Sequence, residues 1–253
     1  MSIKQVFSQG KAVIPYLVCG YPDLAATEEL VRTLAEAGAS LIELGIPFSD
    51  PAADPPLIQR INEEALAGGV TTDQIFDLVQ GLRTKTEIPL AFRAYANLVY
   101  KYGTERFLAR AAELGIKALT LPDVPYEERE EFAMACSQAG VALTSVVAPA
   151  SAARIEKIAR EAQGYICLSL PPGFNGFDWA ALRRATVLPA VVPLGGSSLD
   201  QLGETLSRAD GVIIDAEVME TVAEHGKDAS SFVYNCVKNI IHRVREMGMG
   251  SAV

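Results

Sequence analysis

Apolar residues along this chain alternate between two textures. Short, nearly continuous runs of aliphatic and β-branched residues read as strands at 12–18, 40–44, 88–95, 116–121, 141–148, 164–170, 188–194 and 211–215. Between them the apolar positions recur at helical spacing, predicting helices at 24–37, 59–67, 73–83, 105–114, 127–139, 152–162, 179–184, 199–208, 218–225 and 229–245. Gly38, Gly115, Gly140 and Gly164 each close a helical run just ahead of a strand, as helix-terminating glycines do. Thr71-x-x-Gln74 and Ser198-x-x-Gln201 have the form of capping boxes.

Strands apolar on both faces and joined by helices imply an α/β fold in which a parallel sheet is covered by helices. Eight such units in 253 residues predict a (β/α)8 TIM barrel, a single domain over residues 1–253; a doubly wound open sheet is the alternative. In a barrel the chemistry belongs to the loops after the strand C-termini. Two of these loops are long and rich in Gly, Pro and Asp, at 45–58 and 171–178, the composition of segments that close over a ligand.

Composition narrows the function. A formal net charge of −9 with no Lys/Arg cluster leaves no electrostatic footprint for nucleic acid or an anionic membrane. The apolar stretch 12–19 is short and broken by Pro15, so no leader or membrane segment is read there, and the expected location is the cytoplasm. Cys19, Cys136, Cys167 and Cys236 form no CxxC pair, which fits reduced thiols and no metal site. With only His225 and His242, a histidine-based triad has no basis.

Glu43 is the most conspicuous polar residue, set inside Leu41-Ile42-Glu43-Leu44-Gly45-Ile46. If it points into the barrel it is a proton-transfer group; if outward, it is one half of a charged pair with a helix. Asp50 and Asp54, in the loop that follows, read on their own as turn formers or caps.

The segment Ala37-Gly38-Ala39-Ser40-Leu41-Ile42-Glu43-Leu44-Gly45-Ile46-Pro47-Phe48-Ser49-Asp50-Pro51-Ala52-Ala53-Asp54 resembles the signature of the tryptophan synthase alpha chain family. The resemblance continues through Ile14-Pro15-Tyr16, Gly20-Tyr21-Pro22, Tyr95-Ala96-Asn97, Pro122-Asp123-Val124-Pro125 and Ala209-Asp210-Gly211-Val212-Ile213. It implies a (β/α)8 lyase that cleaves indole-3-glycerol phosphate to indole and glyceraldehyde 3-phosphate in tryptophan biosynthesis. It further implies an α2β2 assembly in which a beta chain carries pyridoxal phosphate and the alpha chain has no cofactor of its own. Carried over by position, Glu43 matches the proton-transferring glutamate and Asp54 the acid that holds the indole N–H. Tyr16, Cys167, Asn175, Gly195, Gly196, Asp215 and Ala216 match substrate-binding positions, and Pro47, Phe48, Asp50, Asn97 and Pro125 match the face toward the beta chain.

The match is uneven. Cys167 stands where the family usually has a substrate-facing tyrosine, and the lid loop reads Leu170-Pro171-Pro172-Gly173-Phe174-Asn175-Gly176, without the family's arginine. Pro55 replaces a glycine. Ile214-Asp215-Ala216-Glu217 puts a carboxylate where the family's Ser-Gly-Ser-Ala approaches the phosphate. Asp215 has two readings, a charge pointing into the phosphate pocket or the N-cap of the next helix. Arg93, where the family tends to be apolar, is expected to pair with Asp215, Glu43 or another buried carboxylate. These departures keep two further readings open: a weak or silent alpha-like subunit that docks on and activates a beta chain, and a barrel lyase for a non-phosphorylated substrate.

Overall fold

The computed structural model describes residues 1–171, 174, 176–195 and 203–249. Eight parallel strands close into a barrel in sequence order: β1 (Ala12–Val18), β2 (Ile42–Gly45), β3 (Leu90–Arg93), β4 (Ala118–Thr120), β5 (Ala142–Val147), β6 (Ile166–Leu168), β7 (Ala190–Pro193) and β8 (Gly211–Ile214), with β8 pairing back onto β1. This is the predicted (β/α)8 class, and the open-sheet alternative is excluded by that last pairing.

Register fixes which side chains fill the barrel. Tyr16 lies opposite Glu43, Glu43 opposite Ala91, and Gly45 opposite Arg93, which lies opposite Thr120. Because side chains alternate along a strand, these residues share the inner face with Ile14, Leu41, Ala118, Tyr165, Val191 and Ile213, which form one buried cluster. The intervening positions, such as Leu44, Phe92 and Val192, belong to a second, larger cluster with the covering helices. Full burial of each such side chain is worth roughly 1.5–3 kcal/mol.

β1 spans the residues predicted for it, and the other strands are shorter than predicted because ladder pairing stops where the chain turns into the loops at the barrel rims. Helix ends follow the local signals: Asp23 caps Leu24–Ala37 through the Ala26 N–H, and Thr71 and Gln74 form the expected capping box on Thr72–Leu82. Gly38, Gly115, Gly140 and Gly164 all adopt positive φ. The Ser198 capping box lies outside the described residues.

Two helices were not expected. Ile3–Val6 opens with a Ser2/Gln5 capping box and inserts Val6 into the inner cluster. Ala96–Tyr102 follows β3 directly where strand was expected through Tyr95, and the Asp123 carboxylate accepts from the Ala96 N–H at its start. The helix expected from 59 begins at Pro56, since proline at a first helical position sacrifices no hydrogen bond. The one expected at 127–139 is a short 3₁₀ turn, Tyr126–Glu128, followed by Glu130–Ala139. The last helix runs Ser230–Met249. No described helix is long and apolar enough to cross a membrane.

Candidate active site

Glu43 points inward and is fully buried, so the register decides the question its sequence context left open. Four donors converge on its two oxygens. Oε1 accepts from the Tyr165 hydroxyl at 2.7 Å and the Thr120 hydroxyl at 3.2 Å; Oε2 accepts from Arg93 Nη2 at 2.6 Å and Nε at 3.0 Å. A carboxylate has about four lone-pair positions, and these donors fill them. The site is thus a buried ion pair completed by two hydroxyls, the only kind of surroundings in which a charge at this depth is tolerable.

The Arg93 guanidinium lies over the Tyr16 ring at 4.2 Å, and its Nη1 faces Asp215 Oδ2 at 3.8 Å. Burial works against its charge, but Glu43, Tyr16 and Asp215 outweigh that and push its pKa well above the ordinary arginine value. Asp215 takes the N-cap position and at the same time turns one oxygen inward. Its Oδ1 accepts from the Ala216 N–H at 2.8 Å at the start of the helix Ala216–His225, while Oδ2 faces inward to Arg93.

Asp54 sits on the loop above, where its Oδ2 accepts from the Tyr95 hydroxyl at 2.9 Å. Burial, only partly offset by Arg93 and the Tyr95 hydrogen bond, raises its pKa above the usual carboxylate value. The loop is pinned from several sides. Tyr95 also receives the Ala53 N–H, Phe48 stacks on Tyr95 with ring centroids 5.0 Å apart, and Gln59 donates to the Asp54 carbonyl. Asn62 receives the Phe48 N–H at 3.0 Å from the helix Pro56–Ala67.

Cys167 lines the same inner face beside Glu43, Arg93 and Asp215, and burial pushes its thiol pKa up to about 12, which favours the neutral thiol. Tyr16 is buried with its hydroxyl against Gly45, where any side chain would collide with it. Gly195 follows β7 at φ +57° and is exposed; Ala216 starts the helix after β8. Asn175 and Gly196 lie outside the described residues. Among the described residues no cluster of His, Cys, Asp and Glu is arranged to hold a metal.

A groove of about 500 Å³ runs beside the barrel mouth and takes in Pro47, Phe48 and Asn97 together with Val70, Leu98 and Tyr102. Asp50 and Pro125 are exposed and do not line it.

Four groups that matter to the site were not singled out for it from sequence: Thr120 and Tyr165 on Glu43, Tyr95 on Asp54 and Asp123 at the helix after β3. The signal was strand parity. Once Glu43 is inward, Thr120 on β4 and Tyr165 just ahead of β6 are inward with it.

The family model for the tryptophan synthase alpha chain matches residues 4–248. The alpha chain of Alkaliphilus metalliredigens is 42% identical over 232 residues, covering 87% of each chain. That of Lacticaseibacillus casei is 36% identical over 248 residues, covering 94% of this chain and 93% of the relative. Among solved structures, the tryptophan synthase A-subunit of Pyrococcus furiosus superposes with a TM-score of 0.83 at 27% identity, over 92% of this chain and 99% of that one. Tryptophan synthase from M. tuberculosis, in its aminoacrylate-bound form, gives 0.82 at 25% identity, over 94% and 98%. With a buried acid on β2, a second above it, and similarity over nearly its whole length, this chain belongs to the tryptophan synthase alpha chain family.

Proposed function

We propose that this chain cleaves indole-3-glycerol phosphate to indole and glyceraldehyde 3-phosphate, with Glu43 and Asp54 as its acid/base pair. The observation that carries this reading is their arrangement: a fully buried carboxylate at the floor of the mouth and a second, partly buried one over the same opening. The reaction needs both. The indole ring carbon must gain a proton, the ring nitrogen must be held as positive charge develops on it, and a hydroxyl must lose a proton as the carbon–carbon bond breaks. Asp54, ionised and fixed by Tyr95, accepts the ring N–H and balances the developing cation. Glu43 moves the proton. Since its oxygens already carry four donors, one must give way to substrate, and the Thr120 hydroxyl at 3.2 Å is the longest of them.

The phosphate end is bound by the loops after β7 and β8, near Gly195 and Ala216, with Asp215 as a local obstacle that slows the chain relative to members lacking a carboxylate there. The chain itself needs no cofactor. It works in the cytoplasm on a beta chain that carries pyridoxal phosphate, in an α2β2 assembly, and the groove holding Pro47, Phe48 and Asn97, flanked by Asp50 and Pro125, forms the docking face. Phe48 supports this coupling, since it stacks on the tyrosine that fixes Asp54. The test is release of glyceraldehyde 3-phosphate from indole-3-glycerol phosphate by the purified chain with a tryptophan synthase beta chain in excess. Sustained release is expected; no release from the folded complex contradicts the proposal.

A further inference from the structure

Arg93 has capacity that its pairing with Glu43 does not use. Nε and Nη2 are committed to Glu43 Oε2, but Nη1 donates no hydrogen bond to any described residue. The nearest charge, Asp215 Oδ2, is 3.8 Å away, too far for one. Stacking on Tyr16 and the two bonds to Glu43 fix the guanidinium plane, so the direction of Nη1 is set in advance: across the inner face, between the ends of β3 and β8. The side chain is 13% exposed, so it is not wholly enclosed in the packed interior.

Most of the polar groups around it are already engaged, the buried Thr144 hydroxyl excepted. The Glu43 oxygens are saturated, the Tyr165 hydroxyl is spent on Glu43 and the Tyr95 hydroxyl on Asp54. The ionisable groups facing Glu43 and Arg93 are Tyr16 from β1, Tyr165 just before β6, Cys167 from β6, Asp54 from the loop after β2 and Asp215 after β8; Arg93 is the one cation among them. A rigid, cationic, unspent donor beside a proton-transferring carboxylate fits a ligand oxygen on which negative charge builds up.

We propose that Arg93 touches the substrate, with Nη1 donating to the glycerol-chain hydroxyl on the carbon bonded to the indole ring. This inference rests on the lyase reading for the identity of the substrate. In the reaction the ring carbon gains a proton, the bond between it and the carbinol carbon breaks with its electron pair returning to the protonated ring, and the carbinol oxygen loses its proton as it becomes the aldehyde oxygen. One proton enters and one leaves, and no redox partner is required. Charge accumulates on that oxygen as its proton departs, and Nη1 is placed to meet it without rearrangement.

The test separates contact with the hydroxyl from an indirect effect through Glu43 by measuring binding where Glu43 is already neutral. In Glu43→Gln the substrate is not consumed, and calorimetry gives its Kd beside that of indole-3-propyl phosphate, which lacks both hydroxyls. The substrate should bind about tenfold tighter than the analogue, from one charge-assisted hydrogen bond. Adding Arg93→Met should erase this preference, whatever weakening the unpaired Asp215 imposes on both phosphate-bearing ligands alike. Adding Arg93→Lys, which retains the charge and serves if the methionine variant does not fold, should cut the preference to about threefold or less, because an ammonium cannot span both partners. A preference that survives either substitution, or is absent with arginine in place, overturns the assignment. Loss of the preference in a chain whose parent releases no glyceraldehyde 3-phosphate supports the contact and sinks the lyase reading alone.

Discussion

Glu43 and Asp54 are both carboxylates in one cleft, yet their surroundings differ. Glu43 is held by an arginine and two hydroxyls, whereas Asp54 has one tyrosine and a desolvated setting that raises its pKa. The raised value has a sign for stability. Between the ordinary value of 3.8 and the raised one, the folded chain binds more protons than the unfolded one, so stability from this group is fully present below 3.8 and is lost as pH rises through the raised value. Asp54→Asn removes that penalty while leaving an oxygen for Tyr95. We expect a higher melting temperature than wild type at pH 7, no gain at pH 3, and loss of lyase activity; thermal scans at the two pH values and a lyase assay check this. Sequence revealed Glu43 and Asp54 through the length of the motif around them, and it marked Arg93 as a charge in need of a partner. It could not reveal that Arg93 serves Glu43 and faces Asp215 together, because that depends on three strands whose register only the closed barrel sets.

At the scale of elements, the strand–helix alternation was legible because each signal was local: apolar runs, capping boxes and terminal glycines. The short helices Ile3–Val6 and Ala96–Tyr102 were not, since neither is long enough to show a period, although Ser2-x-x-Gln5 carried the same capping signature as Thr71-x-x-Gln74. Two glycines show how context decides a substitution. A side chain at Gly211, on the seam that closes β8 onto β1, would put its Cβ 2.5 Å from the Ala12 carbonyl oxygen, a backbone atom that cannot move aside cheaply. Gly81, in the helix Thr72–Leu82, has nothing within 4 Å of such an atom. Gly211→Ala should therefore lose about 1–3 kcal/mol. Gly81→Ala should gain about 0.4–1 kcal/mol. Urea unfolding of the two variants reads the opposite signs directly.

For the molecule as a whole, the net charge of −9 acquires a location. Three carboxylates, Glu43, Asp54 and Asp215, gather around one guanidinium at the mouth of the barrel. The pairing with Arg93 moderates Asp215 without cancelling it. A charge about 4 Å away at an effective dielectric near 20 is worth up to about 4 kcal/mol, and even a third of that is tenfold in affinity. Asp215→Asn should lower the KM for indole-3-glycerol phosphate by about tenfold with kcat nearly unchanged, as steady-state kinetics will register. The central claim is that the buried Glu43 carboxylate performs the cleavage. It is tested most directly by the rate of glyceraldehyde 3-phosphate release with a beta chain in excess, wild type against Glu43→Gln. Glu43→Gln should lower the rate at least about 10²-fold with the fold and the docking intact; a rate within a few fold of wild type would contradict a catalytic role for this carboxylate.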